Sequence, residues 1–408
     1  MKIAIVGGGA SGLSCAIEAG RRKKEKGISA EITVYEAKER VGKKILATGN
    51  GRCNMLNLND CNYFGDNSFA KSVINKYNVE SNLSFFEEMG LYTRADEEGR
   101  VYPLSNQAAG VLDTLRFECE RLGVKTVTDC EIRKIKKSGN GFLLNDEIYA
   151  DKVVVCFGSK AQVKGFCGYD VMKNLGHTVT KLSPSLTKLT VKNPQLFKVL
   201  KGIRHKAEIS LYLDRKFISS EKGELLFADY GLSGIAVMQL SAFVARHFML
   251  KETLPVVSID LIPDYDADFI KDTLRRLCER NPDGTADTLL MGFMPKKVGE
   301  VILKSCSVNP STTLATIRNK DISVISSTCK SWCHEISGTK DFADGQVVSG
   351  GVLCKEFNRE TLESKKHKGL FCAGEIFDID GPCGGYNLMW AWSSGRLCGE
   401  SVIEGDKK

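Results

Sequence analysis

The chain has 408 residues, 42% hydrophobic and 26% charged, the make-up of a folded globular protein, which excludes wholesale disorder. At about 150 residues per domain the length implies two or three domains, and no run approaches the roughly 18 apolar residues of a membrane span. Lys and Arg outnumber Asp and Glu by 57 to 50, a net +7 spread along the chain, which suits an anionic ligand but forms no concentrated stripe for nucleic acid.

The first residues pass from Met1-Lys2 straight into an apolar run and then glycines. That is too short for a signal-peptide core, so a cytoplasmic protein is expected. Residues 2–6 read as a strand. Gly7-Gly8-Gly9-Ala10-Ser11-Gly12 follows, and Leu13, Ala16, Ile17 and Ala19 then recur at helical spacing to about Lys26. The basic cluster Arg21 to Lys26 is the solvated end of that helix. Ile32–Tyr35 is a second strand, closing on Glu36. Gly7, Gly9 and Gly12 occupy the G-x-G-x-x-G positions of a dinucleotide-binding turn, with the acid roughly two dozen residues on. Such a turn presents helix N–H groups to a pyrophosphate. Glu36 would accept hydrogen bonds from the adenosine ribose and repel a 2′-phosphate.

Between Val41 and Asn57, glycines interleave with Lys43, Lys44, Arg52 and Asn54. This suits a loop that wraps a phosphate or a heteroaromatic ring with backbone donors. Val124 to Ala150 alternates apolar and polar residues around Gly139-Asn140-Gly141 and reads as hairpin strands. Val153 to Gly158 is a continuous apolar run, either a central parallel strand abutting a cofactor or any other buried strand. From about Pro184 one-sided alternation takes over (Ala207, Ile209, Leu211, Leu213; Val257, Ile259, Leu261), the pattern of a second, β-rich domain. Between Asp264 and Lys304 the period turns helical, with Asn281-Pro282-Asp283-Gly284 as a turn. The chain closes with a strand, Gly369 to Glu375, then a stretch ending Gly384-Gly385-Tyr386-Asn387, then a helix from Leu388 to Val402. A glycine pair before a helix N-terminus is a second anion or dipole site. The fifteen cysteines include no Cys-x-x-Cys, and the five histidines are scattered. Reduced core thiols and no metal are expected.

With these stretches in hand, IVGGGASGL, GKKILATGNGRCN, GRVYPLSNQA, GLSGIAVMQLS and the run from GGVLCKEF to MWAWSSG, the chain resembles the BaiN/RdsA family of flavoproteins. That family includes aminoacetone oxidases and a bile-acid-pathway reductase. The resemblance spans essentially the whole chain. It implies an α/β fold, a Rossmann-type FAD-binding domain with a β-barrel-like second domain carrying a small helical insertion. The implied boundaries are 1–185 and 341–408 for the FAD domain, 186–255 and 309–340 for the β-rich domain, and 256–308 for the insertion. It implies non-covalent FAD, held by Gly7, Gly9, Ala10, Ser11 and Gly12, by Glu36 and Ala37, and by Lys43, Lys44, Gly49, Asn50, Gly51, Arg52, Cys53 and Asn54. Ile132 lies beside the adenine in this scheme. Gly158, Gly374, Glu375, Asp378, Gly384, Gly385, Tyr386, Asn387 and Leu388 complete the set. The chain departs from the family pattern at Leu56, Ile235 and Met389, where threonine, proline and glutamine are usual.

The activity implied is hydride transfer between a small-molecule substrate and flavin N5. It would run either as an aminoacetone-type amine oxidase or as an NAD(P)H-dependent reductase of an enone-type substrate. No second G-x-G-x-x-G occurs, so any NAD(P)H would dock transiently at the flavin. The alternative is a FAD-bound, RNA-associated (tRNA-modifying) protein, which the diffuse charge disfavours. No catalytic residue is assigned by the sequence. Tyr386 and Cys383 are the candidates, because they lie on the loop expected at the flavin. The oligomeric state is not legible.

Overall fold

The computed structural model describes residues 1–163 and 165–404. It divides into two compact units: Met1–Ser183 with the chain from Val347 onward, and Pro184–Gln346.

The first unit begins with β1 (Lys2–Val6), α1 (Ala10–Glu25) and β2 (Glu31–Tyr35). Next come α2 (Lys43–Ala47), α3 (Asn67–Lys76), α4 (Val79–Glu87) and α5 (Ala108–Arg121). Strand β3 (Lys125–Val127) follows, then a small antiparallel sheet of β4 (Ile135–Ser138), β5 (Gly141–Leu144) and β6 (Ile148–Ala150). Strand β7 (Lys152–Val155) and α6 (Tyr169–Asn174) close this half. The stretch 43–54, expected as a loop, therefore begins with one helical turn. Gly42 at φ +71° leads into it and the buried Ile45 anchors it. The hairpin expected from Val124 starts later than that, because Lys125–Val127 pairs in parallel with β2. All three residues of β3 are exposed, so this edge strand lacks the apolar run that marks central parallel strands.

The second unit is a closed antiparallel barrel. Its strands are β8 (Leu189–Val191), β9 (Arg204–Leu213), β10 (Lys216–Ala228), β11 (Gly231–Ser233), β12 (Val256–Asp260) and β13 (Trp332–Thr339), in the order β8-β11-β10-β9-β12-β13. Ala207, Ile209, Leu211, Leu225, Phe227, Val257, Ile259, Trp332 and Ile336 alternate inward and are buried. The unit also carries α7 (Gln195–Leu200), α8 (Ile235–Leu250), α9 (Ala267–Arg280), α10 (Lys296–Ser305) and α11 (Asn319–Lys330). The inserted helices α9 to α11 thus lie between β12 and β13. The expected 256–308 segment includes a barrel strand at its start and stops short of α11.

The chain then returns to the first unit with β14 (Leu370–Cys372) and α12 (Tyr386–Glu404). The last four residues of the expected 341–408 segment lie outside the described residues. The main sheet is parallel, ordered β14-β7-β1-β2-β3. The order of strand addition reverses between β1 and β7, β2 and β3 being laid to one side of β1 and β7 and β14 to the other, and such sheets bind ligands in that crevice at their strand C-termini. Helix α12 lies against α1 at very short range. A Cβ on Gly395 would meet the Ser11 carbonyl oxygen at 2.3 Å, and one on Gly399 would meet that of Cys15 at 2.4 Å. Among the described residues, no helix is long and apolar enough to cross a membrane.

Candidate functional site

The glycine turn between β1 and α1 is built by contact with its neighbours. Gly7 donates to the Tyr35 carbonyl at 2.8 Å. A Cβ on Gly12 would lie 1.8 Å from the Gly7 carbonyl oxygen, whereas one on Gly9 would meet nothing within 4 Å. Gly9 is the N-cap of α1, no side chain caps the helix, and its first turn carries no acid. Ala10 and Ser11 begin that turn. The N–H groups of a first helical turn have no intrahelical acceptor, so this open end can receive an anion.

Glu36 sits at the C-terminus of β2. Its carboxylate accepts the Gly8 N–H and the Lys38 N–H, each at 2.9 Å. Two oxygens offer about four acceptor sites, so room remains for ribose hydroxyls. Ala37 is exposed beside it. Cys130 N–H donates to the Glu36 carbonyl at 2.9 Å and Asp129 N–H to that of Lys38 at 3.0 Å, which brings the buried Ile132 to the same edge.

After α2, Gly49, Asn50, Gly51 and Cys53 all have positive φ, a winding that only glycine and asparagine adopt readily. Cys53 is fully buried, and burial pushes its thiol up to about 11, so it serves as a core anchor. The Arg52 guanidinium lies over the Tyr102 ring at 4.8 Å. Asn54 Oδ1 is buried and has no hydrogen-bond partner among the described residues. A Cβ on Gly385, immediately before α12, would lie 2.7 Å from that oxygen and 2.4 Å from the Leu56 carbonyl oxygen. The loop after α2 and the start of α12 therefore meet as bare backbone. Asn57 Nδ2 donates to the Gly384 carbonyl at 2.8 Å, and the Tyr63 hydroxyl donates to that of Tyr386 at 3.0 Å. Leu388 follows in the first turn of α12, whose first turn also carries no acid.

At the C-termini of β7 and β14, Glu375 accepts from Ser159 Oγ at 2.6 Å and from Lys44 Nζ at 2.7 Å. Gly374 N–H donates to Ser394 Oγ at 2.9 Å, and Gly158 holds φ +71° beside Ser159. Thr180 Oγ1 donates to Asp378 at 3.2 Å. Two expected contacts are spoken for elsewhere. Lys43 pairs with Glu39 on the exposed side of α2. The Asn387 amide bonds Gly381 N–H and the carbonyls of Gly381 and Pro382, so its side chain ties the loop. Tyr386 is buried, and burial raises its phenol above the ordinary range. Cys383 is half-buried on the same loop. Ser159 and Asn57 escaped the sequence reading. A Gly-Ser step after an apolar strand hints at the first, and nothing local marks the second. Among the described residues, no group of three or more His, Cys, Asp or Glu is placed to hold a metal ion.

These residues fit FAD on the structure's own terms. The gap at Gly9, the uncapped start of α1 and the orphaned Asn54 oxygen each ask for a partner, and Glu36 supplies acceptors one strand away. A dinucleotide carries a pyrophosphate, hydroxyls and a hydrogen-bonding ring to satisfy them.

Comparison with known proteins agrees. The family model described as HI0933-like protein Rossmann domain matches residues 1–401. A 3-dehydro-bile acid delta(4,6)-reductase of Clostridium scindens is 34% identical over 99% of this chain and 99% of its own length. Ribosomal RNA dihydrouridine synthases of Haemophilus influenzae and Escherichia coli are each 27% identical, over 98% of this chain and 97% of theirs.

Proposed function

The chain belongs to the HI0933-like Rossmann family, and from that premise we propose that it is a FAD-dependent oxidoreductase reducing a carbon–carbon double bond conjugated to a carbonyl in a small, largely apolar molecule. The observation that carries this reading is the end-to-end 34% identity to a protein named as a bile-acid reductase. Bound FAD supplies hydride transfer at N5 of its isoalloxazine ring. The chain supplies binding and a proton. The open start of α1 holds the pyrophosphate, and Glu36 holds the adenosine ribose. Glu375, held by Ser159 and by Lys44 from α2, would meet the cofactor at the ends of β7 and β14. The start of α12, whose first turn carries no acid, would favour the negative charge that the ring gathers on reduction.

Saturating such a double bond adds hydride to the carbon remote from the carbonyl and a proton to the adjacent one. Tyr386 is the donor we assign, because it is the hydroxyl-bearing side chain at the start of α12, on the Gly384-Gly385 loop, and a phenol carries its proton at neutral pH. A nicotinamide nucleotide, docking directly at the flavin, is the electron source in this scheme. In the opposite direction, an aminoacetone-type amine would give up hydride and oxygen would accept the electrons. Anaerobic mixing separates the two: NADH or NADPH should bleach the ~450 nm flavin band, and a 4-ene-3-keto steroid should restore it. Bleaching by aminoacetone alone would overturn the reductase reading.

A second reading is favoured by the two dihydrouridine synthase relatives. The uracil C5–C6 double bond is itself conjugated to a carbonyl, so the chemistry is shared and substrate size decides. Against RNA stand the diffuse +7 and the near balance of ten basic and nine acidic side chains over residues 261–331, the segment that carries α9 to α11. Dihydrouridine formed in ribosomal RNA by the purified protein, with no turnover of the free enone, would establish this second reading.

A further inference from the structure

Tyr169, the first residue of α6, is 2% exposed, and its hydroxyl is buried without a hydrogen-bond partner among the described residues. A phenol can both donate and accept, and a buried polar group left unpaired is a net loss to a fold. The surroundings say where the missing partner comes from. Gly168, its neighbour, packs so flat on the Phe157 ring that a Cβ there would lie 2.0 Å from it. This pins the start of α6 to the chain leaving β7, next to Gly158 and Ser159. The carboxylates of Glu375 and Asp378 act on the Tyr169 phenol, and Cys372 at the end of β14 is close as well. Tyr169 therefore stands at the carboxyl ends of two adjacent parallel strands, the side on which this sheet type takes its ligand. Both carboxylates already have protein partners, Ser159 and Lys44 for Glu375 and Thr180 for Asp378. No such partner reaches the Tyr169 hydroxyl.

We propose that Tyr169 is a cofactor-binding residue whose hydroxyl pairs with a hydroxyl of the ribityl chain of FAD. The proposal rests on the FAD reading above. A polyol suits the place better than a phosphate, because the negative charge of Glu375 and Asp378 reaches it: a sugar hydroxyl can donate to a carboxylate and accept from a phenol, whereas a phosphate would be repelled. Tyr169 lies outside the glycine motifs, and only its missing partner marks it.

Tyr169→Phe removes the hydroxyl and keeps the ring. Three measurements decide: FAD affinity by flavin fluorescence quenching, ADP affinity by calorimetry, and the apoprotein Tm. FAD affinity should fall roughly five- to tenfold, the loss of one hydrogen bond. ADP carries the adenylate half without the ribityl chain, and its affinity should not change. The apoprotein Tm should hold or rise, since nothing paired has been removed. Unchanged FAD affinity, as expected if only an internal water meets the hydroxyl, overturns the proposal. Equal loss of FAD and ADP affinity overturns the ribityl assignment. A lower apoprotein Tm shows that the hydroxyl already had a partner and overturns it too. Wild-type protein that takes up no FAD would overturn the proposed function itself, and with it this role for Tyr169.

Discussion

Gly9 and Gly12 lie three residues apart on one turn, and each excludes a methyl group for a different reason. At Gly12 the obstacle is the protein, with the Gly7 carbonyl oxygen 1.8 Å from any Cβ; at Gly9 the space is open in the chain itself. Gly12→Ala should therefore destabilise the apoprotein by about 3 kcal/mol, the upper end of what forcing a methyl into a packed site typically costs. Gly9→Ala should leave the apoprotein Tm within a degree or two while lowering bound flavin about tenfold, because its methyl fills the cofactor's place. Thermal melts of apoprotein together with the absorbance of the protein as isolated separate the two. If Gly9→Ala kept full flavin, the pyrophosphate would lie elsewhere. Glu36 combines both kinds of role. Its carboxylate accepts two backbone N–H groups of its own chain, from Gly8 and Lys38. Glu36→Ala should lower flavin occupancy about tenfold and also loosen the turn, with a Tm fall of a few degrees from the loss of hydrogen bonds worth about 1 kcal/mol each.

At the scale of elements, α1 and α12 come from opposite ends of the chain and are joined by a buried ion pair. Arg396 Nε donates to Glu18 at 3.1 Å and Nη1 to the Ser81 carbonyl at 2.8 Å; the guanidinium lies over the rings of Tyr77 and Phe85 at 4.5 and 4.6 Å. Glu18 also holds Arg22, which is partly exposed. Arg396→Leu leaves the buried Glu18 carboxylate with the partly exposed Arg22 as its remaining cation and should destabilise by on the order of 3 kcal/mol. The double variant with Glu18→Gln should recover part of that loss. Equal losses in the single and double variants in urea melts would show that packing, not charge, is what Arg396 supplies. This pairing is also where legibility ends. β1, α1 and β2 could be read because glycine spacing and apolar period are local signals. The bare backbone around Asn54 and Gly385 showed as glycines for the same reason. Ser159 with Glu375, Asn57 with Gly384 and Arg396 with Glu18 join residues far apart in the chain, and no local pattern marks either partner. Strand β3 was hidden because an exposed edge strand has no apolar run.

At the scale of the whole molecule, acid acts on both units through groups that resist protonation when folded. In the first unit His177 Nδ1 donates to Glu356 at 2.8 Å, while Nε2 accepts from Ser364 Oγ at 3.0 Å. The order is that of a nucleophile triad, but the serine is buried and its oxygen accepts the N–H groups of Lys366 and His367, so the arrangement is a clamp. Burial holds His177 below the ordinary histidine range against the pull of Glu356. Burial opposes the charge of Glu356, yet Lys366, Thr178 and His177 together hold its carboxyl down to about 2. In the second unit His334 lies between Trp332 and Phe197, with Nε2 unpartnered among the described residues, and burial lowers it to about 4. As pH falls through about 6.5 the unfolded chain protonates both histidines while the folded chain stays neutral, so stability drops. The Glu356 contribution is complete above its unfolded value of about 4.5 and is lost as pH falls from there toward 2. Tm should therefore be flat between about pH 7 and 8 and fall between pH 6.5 and 4, with a further loss below. It should fall again in alkali, as buried thiols such as Cys53 ionise in the unfolded chain first. His334→Leu removes an unpaired imidazole from an apolar site, so it should leave Tm near pH 7.5 within a few degrees. It should also flatten the fall between pH 6.5 and 4 by up to roughly 3 kcal/mol of stability. A Tm against pH curve of unchanged slope in this variant would show that the acid sensitivity does not come from the barrel.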